Sequence, residues 1–161
     1  MSPDVIVIGT GVIGAAIAFE LAKQGRRVLS LDRNAQAGHG STSGSCAIVR
    51  MHYSTFDGTA FAWEGYHYWR DWADYLGLPA GSDLARFREV GCLVMKTEAN
   101  GQLEKHKTFS AELGCPFEEL TAEQVQARLP ICDLASFAPA RRLDDPAFGQ
   151  PNGRRMGGAV C

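Results

Sequence analysis

The sequence predicts an α/β fold, and three adjacent features predict it. Asp4 to Ile8 is a short β-branched apolar run, the pattern of a strand buried on both faces. Gly9-x-Gly11-x-x-Gly14 follows at once, and Ile13, Ala16, Ile17, Leu21 and Ala22 then fall at helical spacing across Val12–Gln24. Arg27 to Leu31 is a second strand, closed by Asp32. Strand, glycine turn, helix and strand within about 30 residues make a βαβ unit with a right-handed crossover. Gly25 supplies the helix stop, and Lys23 offsets the negative helix end.

Beyond Asp32 the chain changes character. Gly38 to Ala47 is small, polar and without period, so it reads as a loop leading into Ile48–Tyr53. Thr59–Leu76 reads as one long helix carrying Phe61, Tyr66, Tyr68, Trp69 and Trp72. Packing against the sheet is the favoured role of these rings, with an aromatic binding box as the alternative. Phe87–Met95 reads as a strand containing Gly91, and Gly101–Leu113 as a helix. Thr121 opens another helix, with Gln124 at the capping-box position and Pro130 closing it. Arg141–Gly153 is loop-like. Met156–Cys161 reads as a strand just starting, its pairing partners absent, which would leave an aggregation-prone sheet edge at Cys161.

Composition bounds the function. With 161 residues, 45% of them hydrophobic and 21% charged, the chain suits one domain or slightly more, whose core requires no disulfide or metal staple. Net charge is −2 and the cations are scattered, so no basic stripe points to nucleic acid. No apolar run reaches the roughly 18–20 residues of a membrane span. The N-terminus enters a strand without a basic leader or a cleavage site. Cys46, Cys92, Cys115, Cys132 and Cys161 are odd in number and form no C-x-x-C pair, which reads as reduced thiols and a cytoplasmic location. His39, His52, His67 and His106 show no ligand spacing with them, so no metal site is expected.

The glycine fingerprint carries the chemistry. Gly9 permits the tight turn, Gly11 lets backbone approach a diphosphate, and Gly14 lets the helix lie near the sheet. Unpaired N–H groups at the positive helix end then face the anion. An acidic residue at Asp32 accepts from adenosine ribose hydroxyls and repels a 2′-phosphate, which disfavours NADP. The alternative is a purely structural glycine turn in a doubly wound sheet. The fingerprint by itself does not separate NAD from FAD.

The segment after Asp32 does. Val5–Gly14, Leu31-Asp-Arg33 and Gly40-Ser-Thr-Ser-Gly-Ser-Cys-Ala-Ile-Val-Arg50 resemble the FAD-dependent amine oxidoreductases of the D-amino-acid oxidase superfamily, the group of sarcosine and glycine oxidases and dimethylglycine dehydrogenase. Looser similarity continues through Gly91-Cys-Leu-Val and Leu120-Thr-Ala-Glu to Pro130. The resemblance implies a Rossmann-like FAD-binding βαβ unit in residues 1–85 and the beginning of an α+β substrate domain in residues 86–161, an incomplete fold as a lone chain. It implies that Gly9, Gly11, Val12, Ile13 and Gly14 meet the diphosphate, that Asp32 holds the ribose, and that Arg33 lies by the adenosine. Gly40, Ser41, Thr42, Ser43, Cys46, Ala47 and Ile48 then wrap the flavin half, since small hydroxylated residues and bare amides close around a long polar cofactor without conflict. Arg50 matches an arginine that in some members receives a substrate carboxylate; an ion pair with Asp57 or Glu64 is the alternative. Tyr53 falls where some relatives place a substrate-side tyrosine. His39 does not match a flavin-attachment sequence and reads as a solvent-facing loop residue.

What the resemblance implies for function is an oxidoreductase acting on the CH–N bond of an amine or amino acid, with hydride passing to flavin N5 and the imine then hydrolysed. This chain would supply the ADP side of the FAD site and be inactive alone. Its expected partners are the remainder of the same enzyme, as a second chain or fragment, and a small amine substrate. An NAD-dependent Rossmann dehydrogenase and a non-catalytic nucleotide-binding fragment are the competing readings.

Overall fold

The computed structural model describes residues 2–79, 81–97, 101–137 and 142–161. Its internal contacts divide the chain into two compact units, Met1–Ile48 and Val49–Cys161. In the first, strand β1 (Val5–Ile8), helix α1 (Val12–Lys23) and strand β2 (Val28–Leu31) follow one another as the sequence predicts. The strands pair in parallel, Val5 opposite Val28 and Ile8 opposite Leu31, with α1 packed on them. Asp4 ties the start of β1 to Arg27 ahead of β2 through its carboxylate, 2.7 Å from Nη2.

The burial of β1 differs from expectation. Only Val7 is buried. A Cβ added at Gly14 would lie 3.5 Å from the Val7 side chain, so Val7 faces α1. Strand side chains alternate faces, so Ile6, Ile8 and their partners Leu29 and Leu31 share the other face, and all four are exposed. The sequence is that of a strand covered on both sides, and within this unit one side is covered.

The second unit is mixed α and β. Helix α2 (Phe56–Arg70) starts three residues before the expected Thr59, because Thr55 caps it by accepting from the Gly58 N–H at 3.2 Å. The single long helix predicted to Leu76 is broken at Asp71 (φ −104°, ψ 40°), after which α3 (Trp72–Leu76) continues. Strand β3 is confined to Val94–Met95, shorter than the predicted Phe87–Met95. Gly91 takes φ +77°, a left-handed conformation that ends extended pairing there. Helix α4 (Leu103–Leu113), strand β4 (Glu119–Leu120) and helix α5 (Ala122–Arg128) follow, the last with both halves of the Thr121–Gln124 capping box formed. Strands β5 (Ala135–Phe137) and β6 (Pro151–Arg155) pair antiparallel, so the region read as loop to Gly153 contains part of a strand; Arg141 lies outside the described residues.

Strand β7 (Ala159–Val160) corrects the expectation for the end of the sequence. It is the middle strand of an antiparallel sheet ordered β3–β7–β4, paired to Val94–Met95 on one side and Glu119–Leu120 on the other. Ala159 and Val160 are buried, and no unpaired edge remains on this strand. Its partners lie 39 to 66 positions earlier, beyond the reach of local pattern. Leu120, Ala122, Val125, Leu134 and Ala159 form the core beneath, with Leu93, Met95 and Met156 against it.

Candidate functional site

The fingerprint turn is fixed by three kinds of contact. Gly9 sits at φ +102°, which side-chain-bearing residues rarely adopt, and its N–H donates to the Leu31 carbonyl at 2.7 Å. A Cβ at Gly14 would fall 1.9 Å from the Gly9 carbonyl oxygen, so the helix can start this close to the strand only with glycine there. Thr10, between the first two glycines, holds the turn to β2: its N–H and its hydroxyl both donate to Asp32 Oδ2, at 2.7 and 2.9 Å. Its carbonyl accepts from the Gly38 N–H at 2.9 Å, which anchors the polar loop to the turn.

Asp32 therefore belongs to a network. Oδ1 accepts from the Asn34 N–H at 2.8 Å. That bond, followed by the two from Thr10, pulls the carboxyl down to about 2. Of roughly four acceptor positions on a carboxylate, three are used, which leaves capacity for a hydroxyl donor.

Helix α1 begins at Gly11 with no side-chain cap from that residue and no acidic residue in its first turn. The first amide, Val12 N–H, donates to Thr42 Oγ1 at 3.0 Å. The same oxygen lies 2.9 Å from where a Gly11 Cβ would stand, so a side chain at Gly11 would push the hydroxyl away. Around this end opens a cavity of about 480 Å³ lined by Gly9, Gly11, Asp32, Arg33, Gly40 and Thr42, together with Ile8, Leu31, Asn34 and Ser41. Its volume lies in the usual range of small-molecule sites. Its chemistry combines the amides of a positive helix end, the first of them shared with Thr42 Oγ1, one guanidinium and one ionised carboxylate.

The other predicted residues are placed as follows. Ile13 is exposed on the first turn of α1. Ser43 turns back into its own loop, its hydroxyl donating to the Gly40 carbonyl at 2.8 Å. Ala47 has φ +53°, and its N–H donates to Ser45 Oγ. Cys46, Ala47 and Ile48 follow the loop and are not among the walls of this cavity. His39 is exposed.

Arg50 and Tyr53 lie in the second unit, with the Arg50 guanidinium over the Tyr53 ring at 5.4 Å. No ion pair of Arg50 with Asp57 or Glu64 exists among the described residues, and Glu64 instead accepts from the Tyr68 hydroxyl at 2.9 Å. All five cysteines are free. Among the described residues no cluster of His, Cys, Asp and Glu could hold a metal ion, and no helix is long and apolar enough to cross a membrane.

Thr10 and Asn34 escaped the sequence reading. Thr10 takes an unspecified position of the fingerprint and Asn34 lies two residues past Asp32, and only the hydrogen bonds to Asp32 single them out.

The sequence matches the family described as DAO, FAD dependent oxidoreductase, over residues 4–152. Human peroxisomal sarcosine oxidase is 32% identical over 131 residues, covering 79% of this chain and 31% of that protein. Glycine oxidase of Geobacillus kaustophilus (strain HTA426) is 30% identical over 163 residues, 98% of this chain and 42% of that protein. The chain thus spans less than half the length of these relatives. Among solved structures, L-proline dehydrogenase from P. horikoshii superposes with a TM-score of 0.69 at 22% identity, covering 82% of this chain and 34% of that one. Glycine oxidase from Geobacillus kaustophilus gives 0.59 at 24%, covering 98% and 38%; at these identities the likeness speaks for the fold. The glycine cradle, its acidic partner strand and a family match across nearly the whole sequence lead to one conclusion: the chain belongs to the DAO family of FAD-dependent oxidoreductases.

Proposed function

We propose that this chain supplies the ADP side of the FAD site in an enzyme that oxidises the CH–N bond of an amine or amino acid. The observation that carries the reading is the cradle at α1, where a helix end with no acidic residue in its first turn, a glycine that leaves no room for a Cβ and an ionised Asp32 share one cavity. These residues fit an adenosine diphosphate moiety. Gly11, Val12 and Gly14 take the diphosphate, with Ile13 beside them. The free acceptor capacity of Asp32 takes a ribose hydroxyl, and Arg33 lies against the adenosine. Thr42 Oγ1 covers the Val12 amide, so the Gly40–Ser43 loop yields that amide to the diphosphate or shares it. Cys46, Ala47 and Ile48 lead on toward the flavin half.

Held by Gly11, Val12, Gly14, Asp32 and Arg33, FAD would supply the two-electron acceptor, through its N5, for oxidation of the CH–N bond to an imine that water then hydrolyses. The chain's own residues bind, orient and hold charge. Arg50 receives the substrate carboxylate, since its planar donors suit that group and no carboxylate of the described residues occupies them. In this reading residues 1–85 are the N-terminal part of the FAD-binding domain and residues 86–161 begin the substrate domain. The rest of the enzyme completes the fold, as a further segment or a second chain; the exposed apolar face of β1 and β2 supports this.

The test is the cofactor itself. Protein purified with its complement should be yellow, and denaturation should release FAD. A colourless preparation that binds NAD would overturn the proposal.

A further inference from the structure

Residues 49–161 contain a cavity of about 310 Å³ of their own, bounded by Val49–Met51, by α2 and by Phe87–Cys92. Its apolar wall is aromatic. Trp63 and Tyr66 stack at 5.0 Å with planes 7° apart, and Phe87 meets Tyr66 edge-on at 5.9 Å. All three are half-buried, so ring surface remains open to a ligand. Its polar rim holds two guanidiniums, Arg50 and Arg88, neither paired with a carboxylate among the described residues. It also holds one carboxylate, Glu89, positioned by the Tyr66 hydroxyl at 2.9 Å.

Two cations and one anion beside an aromatic wall complement a zwitterion that carries an apolar body. We infer that this cavity binds an α-amino acid with an aromatic side chain, its carboxylate on Arg50 and Arg88, its amino group at Glu89 and its ring against Trp63, Tyr66 and Phe87. The inference rests on the amino-acid oxidoreductase reading above and narrows its substrate. Glycine and sarcosine, which name the relatives, offer no group large enough to cover such a wall. The volume, near the lower end for small-molecule sites, suits one amino acid. The rings on α2 thus serve a site as well as packing.

The test is equilibrium binding, by titration calorimetry, of 3-phenylpropanoate to the FAD-loaded protein that contains this chain. The probe has the carboxylate and ring of such a substrate and no C–N bond to oxidise. It should bind about tenfold or more tightly than propanoate, the difference a buried ring contact makes. Phe87→Ala and Trp63→Leu should abolish that difference and leave propanoate binding unchanged. Phe87→Leu, which keeps apolar volume and guards against misfolding, should reduce it in part. Equal affinity for the two carboxylates, or a preference that survives all three substitutions, would overturn the site.

Flavin reduction is scored separately. A protein that binds the probe through these residues but whose flavin no amine reduces keeps the site and refutes the oxidase reading. One whose flavin glycine and phenylalanine reduce equally well, with no preference for the probe, keeps the oxidase and refutes the site.

Discussion

Asp32 shows how much one side chain does at the cradle. Its two oxygens take the amide and hydroxyl of Thr10 and the amide of Asn34, fastening the glycine turn to β2 before any ligand arrives. Asp32→Asn replaces one acceptor oxygen by an NH₂ group, which cannot accept from Thr10. FAD titration of the apoprotein should show affinity lowered roughly 10- to 100-fold, the range expected for a hydrogen bond to a charged group. The carboxyl is held at about 2, below its ordinary 3.8, so its contribution to stability is complete above pH 4 and drains away as pH falls toward 2. Urea midpoints of the wild type and Asp32→Asn should therefore converge over that interval, and a constant gap would contradict the assignment. The acidic residue was legible in the sequence because a strand ended on it. Thr10 was not, since the fingerprint fixes its neighbours and leaves its own position open.

At the scale of elements, the legible features were those whose signal is local. The capping box of α5 is written in two residues three apart, and both halves form: Thr121 Oγ1 accepts from the Gln124 N–H, and Gln124 Oε1 from the Thr121 N–H at 2.8 Å. Thr121→Ala should cost about 1 kcal/mol in chemical denaturation. The central place of β7 depends on distant strands, so period and propensity could not reveal it. The seat of α4 was equally hidden. His106 on α4 is buried, with its Nδ1 unpartnered, and lies against His52 at 3.5 Å between centroids, the rings tilted by 36°. Burial holds both imidazoles below their ordinary value; at His52 the charge of His106 and then that of Arg50 add to this, and at His106 that of Lys105 does, while a hydrogen bond to the Tyr53 backbone opposes it there. The charges acting on the pair, from Arg50, Lys105 and His106 itself, are thus all cationic. Because the folded chain disfavours their protonated forms, stability should be full above about pH 6.5 and fall below it, as the unfolded chain takes up protons first. His106→Phe keeps a ring in place and removes one titration, and should flatten the decline of thermal midpoint between pH 7 and 5. An unchanged slope would place the pH dependence elsewhere.

For the whole molecule, the decisive feature is a surface. Ile6, Ile8, Leu29 and Leu31 are 54, 87, 43 and 47% exposed, and the register sets them in adjacent pairs on one face of a parallel sheet. Parallel sheets are ordinarily covered on both faces, because their strands are apolar on both. The run Asp4–Ile8 reads as a strand buried on both faces, and within this unit its second face stands uncovered. A contiguous apolar patch of this kind marks a contact surface. It would also draw two copies of the chain together in the absence of the natural cover. Purified alone, the chain should therefore sediment as self-associated species at micromolar concentration. Ile8→Glu with Leu31→Lys places opposite charges on neighbouring strands, where they can pair across the sheet. The double variant should shift the lone chain toward monomer. Co-expressed with the remainder of the enzyme, it should fail to yield a stable FAD-loaded complex, since the covering layer would then bury an ion pair without solvent. If it instead assembles and retains flavin as the wild type does, that face is not where the rest of the enzyme docks.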